Sequence, residues 1–145
     1  MQTRNNTASP NIPLDASVDP SILTHDLFLS FASKHKALVD LFRGYAKDRL
    51  SLLAFDDYPM PDIRGHEWKR YAESLIRSCS ATLCLVGHST YHSEPVDWEI
   101  RKSVDLGKPV LAVYLEPTTL LPDALLEMGV SPLPLNVEAV MEELK

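Results

Sequence analysis

Glu99 is the side chain whose setting most invites chemistry. An apolar run, Ala81 to Val86, stops at Gly87, and a polar loop, His88 to Glu94, follows. A helix then opens at about Pro95 and carries Trp98 and Glu99 in its first turns. A second apolar run, Val110 to Leu115, comes after Gly107-Lys108-Pro109. This is a strand, loop, helix, strand unit with a carboxylate near the mouth of the loop, and open α/β sheets bind ligands beyond the carboxyl ends of their strands. A carboxylate there can stabilise growing positive charge. The same position also suits a capping acid favoured by the helix dipole. Phe31 ends an earlier apolar run, where it can stack on a ligand ring or fill core. Ala32 and Ser33 follow with small side chains and backbone donors that allow close approach, although Ser33 is also a natural N-cap. Trp98 can wall a site beside Glu99 or simply pack. His88 can be read as a base or as an exposed loop residue. Ser89 and Thr90 lie in the same loop, and Thr90 and Ser93 can shape it or touch a ligand.

The elements that must position these residues alternate. Strands are expected at Leu27–Phe31, Leu50–Phe55, Ala81–Val86 and Val110–Leu115. Helices are expected at Lys34 to Asp48, with Leu38, Leu41, Phe42 and Tyr45 at helical spacing, at His66 to Arg77, at Val96–Leu106 and at Val137 to Leu144. A loop or short helix spans Leu120 to Met128. Ser131–Leu135 reads as a last short strand, an edge because of Pro132 and Pro134. Alternating β and α elements imply a parallel sheet covered by helices on both faces, and near-continuous apolar strands fit burial on both sides. The expected fold is α/β: a flavodoxin-like three-layer sandwich with a five-stranded parallel sheet in the order 2-1-3-4-5. Its switch point, between the first and third strands, brings Phe31-Ala32-Ser33, Gly87 to Thr90 and Glu99 to one cleft.

Composition bounds the rest. At 145 residues, with 45% apolar and 23% charged residues, the chain reads as one globular domain over residues 23–145. Residues 1–22, rich in Asn, Thr, Ser and Pro, read as a lead-in. A net charge of −6 with no basic run argues against nucleic acid or acidic membranes as the partner. No apolar run approaches the ~20 residues of a membrane span, and the first residues carry no apolar signal core. Cys79 and Cys84 match no zinc or redox spacing, and Cys84 reads as a buried free thiol, so a cytoplasmic location is expected. The Asp56-Asp57 pair invites a metal or phosphoacceptor reading. A receiver domain, however, needs acids after its first and third strands, where this chain has Phe31-Ala32-Ser33 and Gly87-His88-Ser89. No metal is assigned. No Gly-rich dinucleotide or P-loop motif occurs.

Asp26 to Phe31, Phe55-Asp56-Asp57-Tyr58, Trp68, Val96-Asp97-Trp98-Glu99-Ile100, the Gly87-His88-Ser89-Thr90 turn and Gly107-Lys108-Pro109 together resemble the TIR-like family. More narrowly, they resemble the TIR-like proteins of bacterial Thoeris-type anti-phage systems, over about residues 25 to 116. Pro95 departs from the pattern, which usually has an aromatic residue four positions before the glutamate. The resemblance implies cleavage of NAD+ at the nicotinamide–ribose bond, with NAD+ as a substrate and no cofactor. It implies an ADP-ribose-derived signal, cyclic or conjugated, that acts on a separate effector protein. It assigns the catalytic role to Glu99, a mobile assembly loop to Asp56 to Gly65, and self-association to TIR surfaces.

The chemistry is compatible with one carboxylate. Nicotinamide leaves a cationic pyridinium as a neutral ring and needs no general acid, while the ribose passes through an oxocarbenium-like state. A single glutamate beside the ribose can stabilise that charge. Two other classes stay open on sequence: a catalytically silent TIR-like interaction module, and an enzyme like the nucleoside deoxyribosyltransferases, which also use a glutamate at a sugar C1.

Overall fold

The computed structural model describes residues 26–54 and 66–145. The 1–22 lead-in, Phe55 and the Asp56 to Gly65 loop with its paired aspartates lie outside the described residues. Strands β1 (Asp26–Ser30), β2 (Ser51–Ala54), β3 (Ala81–Val86) and β4 (Val110–Tyr114) form a parallel sheet in the order β2-β1-β3-β4. The helices are α1 (Lys36–Ala46), α2 (His66–Ser78), α3 (Glu94–Asp105), α4 (Asp123–Met128) and α5 (Val137–Glu143), with single 3-10 turns at Ser33–His35 and Thr90–His92.

Among the described residues the sheet has four strands, which corrects the expected five. The segment 131–135 meets β4 at one isolated bridge, Val113 to Leu133. The Leu133 N–H donates to the Ala112 carbonyl at 2.8 Å, and the Leu133 carbonyl accepts from the Tyr114 N–H at 3.0 Å. In this register the N–H positions of Pro132 and Pro134 face away from β4, so the prolines leave the outer side of the segment without donors, as on an edge.

Side chains alternate across the sheet with period two. Leu27, Leu29, Leu83, Leu85, Leu111 and Val113 point to one face, where they pack with Val39 and Phe42 of α1 and Val140 of α5. Cys84, Val86 and Ala112 point to the other face, against Val96 and Ile100 of α3 and Leu125 of α4. Phe28 shares that face and meets Leu75 and Ile76 of α2. All six β3 residues are buried, as expected of a strand covered on both sides. Helix α1 departs from the expected stripe. Val39, Phe42 and Ala46 are buried, whereas Leu41 and Tyr45 are 61% and 79% exposed. Two overlapping apolar stripes share Phe42, and docking on the sheet selects the one with the smaller flanking side chains.

Helix α3 carries its own start and stop signals. The Ser93 hydroxyl accepts the Val96 N–H at 3.3 Å and caps the helix. Pro95 sits in the first turn, where an N–H has no intrahelical acceptor to lose. The helix start therefore survives the departure at Pro95. At the far end Gly107 takes a left-handed φ of 73°, and the Lys108 N–H returns to the Ser103 carbonyl at 2.9 Å.

Candidate active site

Two buried polar residues on the α3 side of the sheet meet this helix. Ser30 ends β1, beside Cys84 of β3 in the register, and Thr82 lies near the start of β3. Both are fully buried. The Ser30 hydroxyl donates to Glu99 Oε1 at 2.6 Å. One turn later Ser103 Oγ donates to the Glu99 backbone carbonyl at 2.8 Å. That donation uses the Ser103 proton, so in the 2.7 Å pair between Thr82 and Ser103 the threonine is the donor. The side chain and the backbone of Glu99 are thus each tied to a different strand.

Glu99 is 7% exposed. Its Oε2 accepts no hydrogen bond among the described residues. Burial is the main influence on its acidity and pushes the carboxyl up to about 8, against the opposing Ser30 hydrogen bond. A buried carboxyl oxygen with no protein partner is unusual and calls for an explanation. Cys84 lies within electrostatic reach of Glu99; burial and that carboxylate raise its thiol far above the ordinary range. Both cysteines are free and buried, as expected of Cys84, and burial raises Cys79 as well. Neither is a reactive thiolate.

The loop after β3 is braced from three directions. The Gly87 N–H donates to Thr90 Oγ1 at 2.8 Å. His35, in the 3-10 turn after β1, lays its ring on Gly87 so closely that a Cβ there would stand 2.5 to 2.7 Å from ring atoms. The Ser89 N–H donates to His35 Nε2 at 3.2 Å, so the ring proton is on Nδ1, which faces Glu116 Oε1 at 3.4 Å. Glu116, just past β4, also accepts the His88 N–H at 3.1 Å and lies 3.5 Å from His88 Nε2. His35, Glu116, His88 and Ser89 link the ends of β1, β3 and β4.

The expected site residues fall into three groups. Glu99 meets the end of β1 through Ser30, and the loop after β3 meets the turn after β1 through His35. Ala32 is buried at the start of the 3-10 turn, and its carbonyl accepts the His35 N–H at 2.9 Å. Phe31 is half-buried and packs on the core cluster of the α1 face. Ser33 is exposed, and the cap position belongs to Ala32, which corrects the N-cap reading of Ser33. Thr90 is buried and shapes its loop, Ser89 is a donor to His35, and His88 is exposed. Trp98 faces α2 instead: its ring stands edge-on to Trp68 at 5.2 Å, with Lys69 and Lys102 ammonium groups 5.6 Å from its centroid. It helps line a cleft of about 720 Å³ with Trp68, Lys69, Tyr91 and Pro95, and Glu99 is not among the walls of that cleft.

Ser30, His35 and Glu116 are the site residues that sequence reasoning missed. Ser30 had a signal, as a polar residue facing inward in an otherwise apolar strand. Glu116 had a weaker one, as an acid just past a strand end. His35 had none, since its partners are distant in sequence. Among the described residues no group of three or more His, Cys, Asp or Glu side chains is arranged to hold a metal ion. No described helix is long and apolar enough to cross a membrane.

Comparison with known proteins bears on this geometry. The family model of the TIR-like domain of the Thoeris protein ThsB matches residues 28–119. No curated protein matches the chain. Among solved structures, the chain is similar to the TIR domains of the activated Roq1 resistosome, which directly recognises the pathogen effector XopQ. The identity is 14% and the TM-score 0.51, over 63% of this chain and 57% of that one. The chain therefore spans little more than half the length of that structure. It is similar also to a 2-desoxiribosyltransferase from Leishmania mexicana, at 14% identity and a TM-score of 0.51, over 73% of this chain and 72% of that one. At this identity the likeness is one of fold.

Proposed function

Because the chain belongs to the family of TIR-like domains of the Thoeris protein ThsB, we propose that it cleaves the nicotinamide–ribose bond of NAD+ with Glu99 as the catalytic carboxylate. The observation that carries the reading is Glu99 itself. It is buried in the second turn of α3, anchored through Oε1 by Ser30 and without a hydrogen-bond partner on Oε2 among the described residues. A carboxylate so held presents one oxygen to the hydroxyls of a ribose and a negative charge to its C1′.

The bond from C1′ to the pyridinium nitrogen breaks with both electrons going to nitrogen. Nicotinamide leaves neutral, and the positive charge is shared by C1′ and the ring oxygen. Ionised Glu99 stabilises that charge in a desolvated setting. Water capturing C1′ gives ADP-ribose and a proton, whereas an acceptor within the ADP-ribosyl part or on a second molecule gives a cyclic or conjugated nucleotide. Such a product would serve as an anti-phage signal, acting in the cytoplasm on a separate effector protein, with self-association through TIR surfaces. The likeness to a desoxiribosyltransferase favours a second reading, in which the same carboxylate acts at the C1 of a deoxynucleoside.

The test is mass spectrometry of nucleotides in cells expressing the wild type or Glu99→Gln, with and without phage, alongside purified protein offered NAD+ or deoxynucleosides. NAD-derived nucleotides that require Glu99 support the proposal and identify the product. Turnover of deoxynucleosides alone transfers the assignment to the second reading. A folded protein with no Glu99-dependent product in any arm is a non-catalytic TIR-like interaction module.

A further inference from the structure

We infer that Ser30 is a positioning residue of this site: its hydroxyl, 2.6 Å from Oε1, holds the Glu99 carboxylate in one orientation and leaves Oε2 as the oxygen that meets the substrate's ribose hydroxyls. The inference rests on the reading of Glu99 as the catalytic group, and it deepens that reading.

Three observations carry it. Ser30 is fully buried at the carboxyl end of β1, so its hydroxyl cannot exchange its partner for solvent. The backbone of Glu99 is held separately by Ser103 and Thr82, so Ser30 is not needed to dock α3 and acts on the carboxylate alone. Glu99 has no other hydrogen-bond donor on its side chain among the described residues, so one hydroxyl both orients the carboxylate and offsets the cost of ionising it. No other charge among the described residues does this work. From β3 the titratable neighbour is the Cys84 thiol, which stays neutral. From β4 the facing side chain is Ala112. Lys69 and Glu73 of α2 are engaged with Trp98, Arg77 and Lys102, and Lys102 of α3 turns to Glu73 and Trp98. A donor matched to one oxygen leaves a free carboxylate edge, and that edge is what a diol of a ribose can use.

The test compares NAD+ turnover by the full chain as wild type, Ser30→Ala, Ser30→Cys and Glu99→Gln between pH 6 and pH 10. Loss of a hydrogen bond to a charged group moves a carboxyl midpoint up by about one pH unit or more. Ser30→Ala is therefore expected to lower kcat at pH 7 by about tenfold, with KM little changed, and to recover as the pH rises. Ser30→Cys, with similar volume and a weaker donor, is expected in between. A loss that is uniform across pH, or no loss, overturns the inference while Glu99→Gln remains inactive. If Glu99→Gln keeps wild-type turnover, the proposed function fails instead. Ser30 is then judged by carboxyl-carbon NMR, with the Glu99 signal assigned by its absence in Glu99→Gln. An identical Glu99 midpoint in the wild type and Ser30→Ala overturns the inference, and a higher one in Ser30→Ala supports it. Should Ser30→Ala fail to fold, Ser30→Cys carries both measurements.

Discussion

Asp97 and Glu99 stand two residues apart on α3, and the fold treats their carboxylates in opposite ways. Asp97 is half-exposed with both oxygens occupied. Oδ2 accepts from Arg101 Nε at 2.7 Å, and Oδ1 accepts the Ala124 N–H at 2.9 Å, capping α4. Arg101 in turn forms a bidentate pair with Glu127 at 2.9 and 2.8 Å. Glu99, about 200° further round the helix, is buried with one oxygen satisfied. The first carboxylate is arranged as a structural group is, with its hydrogen bonds complete and its charge in water. The second lacks both comforts. A fold that keeps an under-satisfied buried acid sacrifices stability there, and such sites are where chemistry is found.

The contrast can be broken most directly at Glu99. Glu99→Gln keeps the shape and some hydrogen bonding and removes the charge. It is expected to lower NAD+ cleavage by roughly 10²–10³, on the scale of other charge-stabilising groups. Near-normal turnover in the variant would show that Glu99 is no more catalytic than Asp97.

The same variant should be more stable than the wild type. Glu99 releases its proton near 4.5 when unfolded and near 8 when folded. Between those values the folded protein holds a proton that the unfolded chain lacks, so wild-type stability falls as pH rises across that window. Glu99→Gln escapes this loss. Its advantage in thermal melts should grow from pH 5 to pH 8, reaching on the order of a few kcal/mol. An advantage that does not change with pH would mean that Glu99 is solvated as Asp97 is.

Gly87→Ala tests the loop that borders the Glu99 region. The added methyl would meet the His35 ring at less than 3 Å. Overpacking of this kind costs about 1–3 kcal/mol, measured as a lowered denaturation midpoint, with Ser89 losing its histidine acceptor. An unchanged midpoint would show that His35 moves freely and does not brace the loop.

The smallest effect belongs to Asp97→Ala. It removes the cap of α4 and one partner of Arg101, and is expected to cost about 1 kcal/mol. Its cleavage rate should match the wild type. A loss of activity comparable with that of Glu99→Gln would erase the distinction between the two carboxylates.

Much of this was legible before the structure. The strand at Ala81–Val86 is found at the expected bounds, and the helix bearing Glu99 starts and stops where Ser93, Pro95 and Gly107 signal. Local rules suffice there, because caps and period-two burial act over a few residues. The fifth strand was legible only as an edge, and it is reduced to one bridge at Leu133. Leu41 and Tyr45 were misplaced because an amphipathic pattern does not say which of two adjoining stripes a sheet will cover. Trp98 and Glu99 adjoin in sequence, yet Trp98 turns to α2 and Glu99 to β1, since consecutive helix positions lie about 100° apart.

By itself, the order of residues determined an alternating parallel α/β chain with a carboxylate in the early turns of the helix after β3. Those features follow from spacing, and spacing is written in the chain. Tertiary structure alone decided that Glu99 is dry, that Ser30, 69 positions away, holds one of its oxygens, and that His35 rather than His88 is buried against Gly87. Desolvation and hydrogen bonding are set by which groups meet in space, and those meetings exist only once the sheet has ordered its strands and the helices have closed over it.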